Sequence, residues 1–182
     1  MKNTALGSIS LKFIDIMIGV VLGLGFQWWP NLQEGWQYIA FIFAYVDLVD
    51  YWIDYSPSLR RFPPRRELDL LLDVAIIFAM FLYIYSAQLP LAYFLGAYAL
   101  FNAIDILWLW RARVEYQPTG RDRAFVDTWI VFNSIEILYT LGIILGSRIV
   151  PLPAIAYLAS FIALRLATRV FASLKYKKVY FI

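Results

Sequence analysis

Of the chain's 182 residues, 62% are hydrophobic and only 16% charged, against about 25% charged in an ordinary globular protein. A soluble domain of this length cannot hide so much apolar surface, so the composition points to the lipid bilayer as partner and to a multi-pass protein of the cell membrane. Cysteine and histidine are both absent, which excludes disulfides, thiolate metal ligands, histidine-ligated haem, most zinc chemistry and the commonest general base, so neither cofactor nor metal is expected.

Six apolar stretches follow in order, over residues 9–29, 36–55, 68–87, 90–110, 126–146 and 150–174. Each has about 20 residues, enough to cross roughly 30 Å of hydrocarbon at 1.5 Å per residue. Backbone in lipid must satisfy its own hydrogen bonds, so all six are expected as helices, and no alternating ten-residue pattern suggests a barrel. The first stretch is too long for a signal peptide and lacks a small-x-small cleavage site. The fold class is therefore an all-α membrane domain spanning residues 1–182.

The connections alternate. Those at 31–35, 86–89 and 147–149 are short and stand beside Pro30, Pro90 or Pro151. Those at 56–66 and 111–123 are longer and rich in arginine. Of the sixteen Lys and Arg residues, only Arg148 falls on the side of the short loops. This asymmetry reads as a topology signal, not a nucleic-acid surface, and places both termini in the cytoplasm. Trp28, Trp29 and Trp36 are expected in an outer aromatic belt, and Trp52, Trp108, Trp110 and Trp129 in an inner one. The tail over 172–182 is suited to the membrane surface.

An internal repeat is visible. Odd-numbered helices open on Phe13-Ile14-Asp15, Glu67-Leu68-Asp69 and Phe125-Val126-Asp127. Even-numbered helices carry a phenylalanine four residues before a charge: Phe43 and Asp47, Phe101 and Asp105, Phe161 and Arg165. Chance similarity among apolar helices is the competing explanation. Duplication implies three parallel hairpins, over 9–55, 67–113 and 125–174, in a pseudo-threefold arrangement.

No phosphate-binding glycine loop, nucleophile elbow or metal-ligand spacing occurs, and no intramembrane enzyme is expected. What remains is charge at lipid depth, which costs about 2.5–3.5 kcal/mol per group at a helix centre and calls for a partner or water. Asp15, Asp69 and Asp127 lie in the first turns of helices entering the membrane, where a carboxylate complements the positive helix end. Asp73 is one turn beyond Asp69 on the same face. Asp47, Asp50 and Asp54 share a face of the second helix, with Asp47 about 12 Å along it from Tyr55. Asp105 lies about 9 Å inward of Arg111, one turn from Asn102. With Arg165 in the equivalent place, the repeat predicts a ring of two acids and one base. That ring reads equally as a bundle-locking ion pair or as a charged constriction. Glu136 is deepest, about 15 Å from Val126. Asn133 and Thr140 continue its polar stripe, and the carboxyl there must be protonated, paired or wet. Gly19 with Gly23 and Gly142 with Gly146 form Gly-x-x-x-Gly pairs that permit close helix contact. Arg165 and Arg169 recur at four residues, not the three of a voltage sensor.

Lys12-Phe13-Ile14-Asp15 and Ala124-Phe125-Val126-Asp127 resemble the signature of the prokaryotic relatives of the endolysosomal potassium channel. There a basic residue precedes Phe-Ser-Asp-Gly-Val-Phe-Ala at the head of the first helix. The resemblance implies a six-helix protein with cytoplasmic termini, assembling as a tetramer around a pore lined by that helix. Phe13 and Asp15 match, whereas Ile14 and Ile16 replace the family's serine and glycine. Ile53, Asp54 and Tyr55 follow Trp52 where the family has histidines.

The resulting expectation is a channel or transporter for monovalent cations or protons. Asp47, Asp50, Asn102, Asp105, Asn133, Glu136 and Arg165 line its route, and a bundle this thin calls for a homo-oligomer to form a pore. The alternative is an accessory subunit of a larger membrane complex, in which the same charges only hold helices together.

Overall fold

The computed structural model describes the backbone of residues 2–176 and the side chains of 12–175. It is all-helical over that range: α1 (Lys2–Gly25), α2 (Gly35–Arg61), α3 (Glu67–Tyr85), α4 (Leu91–Tyr116), α5 (Gly120–Gly146) and α6 (Ala154–Tyr176). Short 3-10 turns, Phe26–Asn31 and Ser86–Gln88, follow α1 and α3. The side chain of Lys2, Lys177, Lys178 and most of the expected surface tail lie outside the described residues.

The helices overrun the expected spans on the arginine-rich side. α2 continues through Pro57, where Ser58 Oγ donates back to the Asp54 carbonyl at 2.7 Å. α4 extends to Tyr116 and closes on Gln117, in the left-handed region at φ 44°, the usual way to stop a helix. α5 begins at Gly120. The long loops thus shrink: Arg60 and Arg61 continue α2, Arg111 to Glu115 continue α4, and Arg121 to Ala124 lie in the first turns of α5. Ion pairs tie the overhangs together: Arg61 to Asp122 at 2.8 Å and Arg113 to Asp127 at 3.4 Å.

Polarity runs inside out. On α2 the exposed face carries Ile39, Ile42, Val46, Val49 and Ile53, while Gln37, Asp47, Asp54 and Ser58 are buried. On α5, Val131, Ile135, Leu138 and Leu145 face outward and Thr128, Asn133, Glu136 and Thr140 inward. A water-soluble bundle would show the opposite. Five helices (all but α2) are long and apolar enough to cross a membrane. The sixth expected span falls short in average hydropathy because its interior face holds the three aspartates.

α4 packs along both α3 and α5, and α1 lies against α3 and α2, with Ile14, Ile18 and Val21 buried. Two packing expectations are corrected. A Cβ added at Gly19, Gly23, Gly142 or Gly146 would meet nothing within 4 Å, so neither Gly-x-x-x-Gly pair mediates a contact in this chain. The close approach is at Gly25, where a Cβ would run into Tyr45 Oη and stand 3.0 Å from Ile84 Cγ2. The aromatic belts are also thinner than expected. Trp36, Trp108 and Trp129 are buried, the latter two with a polar or cationic partner inside and Trp36 bonded to Glu34 at the start of α2, leaving Trp29, Trp52 and Trp110 exposed.

Candidate functional site

Helical spacing gathers the deepest polar groups. On α4, Tyr98 and Asn102 are one turn apart, and on α6 so are Arg165 and Thr168. Both pairs turn to Glu136 on α5. Glu136 Oε2 accepts from Tyr98 Oη and from Asn102 Nδ2 at 3.1 Å. Its Oε1 accepts from Thr168 Oγ1 and from Arg165 Nη1 at 3.3 Å. Four donors on one carboxyl satisfy it as fully as a buried carboxylate can be satisfied.

Arg165 also reaches across to α2, donating Nε to Asp47 Oδ1 at 2.7 Å. One turn on, Arg169 bonds Asp50 and Asp54, the latter at 2.5 Å. The two arginines and three aspartates form a ladder because both helices advance one turn per rung. Trp129 stands under both guanidinium groups, 5.1 Å from that of Arg165 and 5.6 Å from that of Arg169. Asp47 Oδ2 and the Tyr83 hydroxyl are buried and, among the described residues, make no hydrogen bond.

Asp105 is held differently from the expected ring. Arg165 bonds Asp47 and Glu136 instead, and Asp105 accepts from Tyr51 Oη and Asn133 Nδ2, each at 2.7 Å. Asp73 likewise has neutral partners, Tyr55 Oη at 2.8 Å and Trp108 Nε1 at 3.0 Å.

The remaining entry acids lie apart from this centre. Asp69 accepts the backbone N–H groups of Arg65 and Arg66 at 2.7 and 2.8 Å and pairs with Arg111 at 3.1 Å. That is the helix-start role its position suggested. Asp127 pairs with Arg113 and Arg123. Asp15, on the outside, accepts from Trp52 Nε1 at 3.1 Å.

Between α2, α4, α5 and α6 lies a cavity of about 30 Å³, walled by Asp50, Tyr51, Asp105, Asn133, Arg165 and Arg169 among others. It has room for about two waters. Among the described residues, α1 contributes nothing to it, unlike the pore helix that the resemblance of its first turns implies. On the short-loop side of Glu136 the bundle is shut by a buried aromatic layer. Tyr98 and Phe161 rings stand 4.7 Å apart, and Tyr83 and Phe94 5.0 Å apart.

Asp47 and Glu136 share Arg165, Asp50 and Asp54 share Arg169, and Asp105 is held by neutral donors; among the described residues no three acidic groups converge as a metal site would require. Sequence reading missed Tyr51, Tyr98, Thr168 and Trp129 as members. The one-turn spacings Tyr98 to Asn102 and Arg165 to Thr168 were the available signal.

The class of molecule so defined is an all-helical bundle with five helices apolar enough for membrane spans and a buried acid–arginine network. Compared with known proteins, the chain matches no family model, no curated protein and no solved structure.

Proposed function

We propose that the chain is a six-span protein of the cell membrane, built as three parallel hairpins with cytoplasmic termini, that moves protons or monovalent cations. The outward apolar face of α2 supports its being the sixth span. The arginine-rich loops support the orientation. The edge-on contact of Phe43 with Phe161 at 5.7 Å, one turn before Asp47 and Arg165, supports the repeat.

The observation that carries the transport reading is the cavity beside Asp105. It joins polar groups of four helices, and the carboxyl of Asp105 on its wall is held by two neutral donors, Tyr51 and Asn133, an arrangement that suits a group which takes up and releases a cation or proton. The cavity is too small for an organic solute. Thr168 adds a relay element. Its single hydroxyl proton has two acceptors in reach, Glu136 Oε1 and the Arg165 carbonyl at 2.9 Å. When the hydroxyl turns to the carbonyl, the contact with Glu136 holds only if Glu136 itself supplies a proton. The aromatic layer makes this a closed conformation, so passage needs Tyr98 and Phe161 to part.

Reconstitution of the purified protein in liposomes tests this by proton and potassium flux. Asp105→Asn, close to isosteric and without the charge, is expected to abolish most of the flux while the fold survives. Absent flux in wild type, or flux indifferent to Asp105→Asn and Glu136→Gln, removes the transport assignment.

One observation favours a second reading. The four donors on Glu136 are what a purely structural helix clamp would have, and in an accessory subunit of a larger complex that would be their whole purpose. Stable copurification with another membrane protein, together with no flux from the isolated chain, would select it.

A further inference from the structure

A second concavity lies on the outside of the bundle, where α3 begins and α4 ends. It has a volume of about 550 Å³, within the range of ligand sites. Its floor is apolar: Leu71, Leu72 and Ala75 from α3, Leu107 and Val114 from α4, with Trp110 on the rim. Several of these are strongly exposed, Leu71 at 63% and Trp110 at 59%. From Arg66 to Ala75 the groove descends about 14 Å at the standard helical rise, starting at the arginine-rich end of the helices.

The charges at its mouth are unequal in availability. Arg111 is committed to Asp69 at 3.1 Å and to the Phe62 carbonyl. Glu115 approaches Arg111 at 4.0 Å, and Asp69 is further occupied by two backbone N–H groups. Arg66, in contrast, has a side chain 77% exposed and, among the described residues, a loose 3.9 Å approach to Glu115. Arg65 stands beside it, over the Tyr116 ring at 4.1 Å. With both lining acids, Asp69 and Glu115, set against Arg111, an exposed arginine stands above an apolar slot at the arginine-rich end of the helices, which complements one molecular shape: an acidic head on an acyl tail.

We propose that this groove binds an anionic phospholipid, its phosphate at Arg66 and one acyl chain along Leu71, Ala75 and Leu107. The proposal rests on the membrane-spanning reading and not on transport, so its failure leaves the flux assignment standing. Trp110 then serves as the interfacial anchor at the level of the ester groups.

Native mass spectrometry of the delipidated protein, titrated with dioleoyl-phosphatidylglycerol or dioleoyl-phosphatidylcholine, tests it. One retained phosphatidylglycerol is expected, with a preference of about fivefold over phosphatidylcholine, the factor one interfacial arginine supplies. Arg66→Gln is expected to erase the preference while leaving weak binding of both lipids. Ala75→Phe, which fills the slot, is expected to weaken both, and its thermal melting reports whether it folds. Equal binding of the two lipids, or a preference that survives Arg66→Gln, overturns the proposal. So does inorganic phosphate competing as well as the lipid, which would mark an anion site without a tail. A lipid-free dimer dissociated by Ala75→Phe would make the groove an interface between copies and overturn it equally.

Discussion

Arg165 offers the sharpest perturbation of the network. It is buried, and it holds Asp47 at 2.7 Å and Glu136 at 3.3 Å. Replacing it with methionine keeps most of the volume and the contact with Trp129 but leaves two carboxyl groups facing one another. Removing one partner of a buried pair costs about 3–5 kcal/mol, because the desolvated charge left behind has lost its compensation. For a chain of this size each kcal/mol moves the melting temperature by about 2–4 °C, so Arg165→Met is expected to lower it by roughly 10 °C in detergent. The triple variant Arg165→Met, Asp47→Asn, Glu136→Gln removes the charges together. It is expected to recover most of the loss, since neutral replacement of a buried ion cluster is often harmless or stabilising. Circular dichroism melts of the wild type, the single and the triple variant decide it. A single variant within about 3 °C of wild type, or a triple no better than the single, would refute the view that these groups are charged and mutually dependent.

Three further outcomes are expected. Asp69→Ala removes the acceptor for two backbone N–H groups and the main partner of Arg111. It should cost about 3 kcal/mol by chemical denaturation, and a loss under about 1 kcal/mol would show the cap to be dispensable. Gly25→Ala drives a Cβ against Tyr45 Oη, whose hydrogen bond to the Leu22 carbonyl at 2.7 Å must then break. A loss of about 1–3 kcal/mol is expected there, whereas Gly142→Ala should be neutral or gain up to about 1 kcal/mol from helix propensity. A destabilised Gly142→Ala would restore a packing role to that glycine pair. Trp108→Phe deletes the indole N–H that reaches Asp73 at 3.0 Å. It should lower stability by about 1.5–3 kcal/mol in the same assay, and no change would mean that Tyr55 alone satisfies the carboxylate.

What was legible in the sequence is what a helix fixes locally. Runs of apolar residues gave the six helices, because in lipid every backbone group must bond within its own segment. Three- and four-residue spacings placed Asp47, Asp50 and Asp54 on one face, and Asn133, Glu136 and Thr140 on another. Even the polarity of the interior was implied, since charges at such positions had to turn away from lipid. Which side chain meets which could not be read this way. Pairing depends on how the helices are rotated and offset against one another, and that is set by packing between segments distant in the chain. Tertiary structure therefore decided that Arg165 bonds Asp47 and Glu136 and not Asp105. It likewise turned Trp108 and Trp129 into the bundle, where an indole N–H meets Asp73 and a ring face meets Arg165. It also left Gly142 and Gly146 facing open space, because a glycine pair permits a close contact without supplying the partner that would make it.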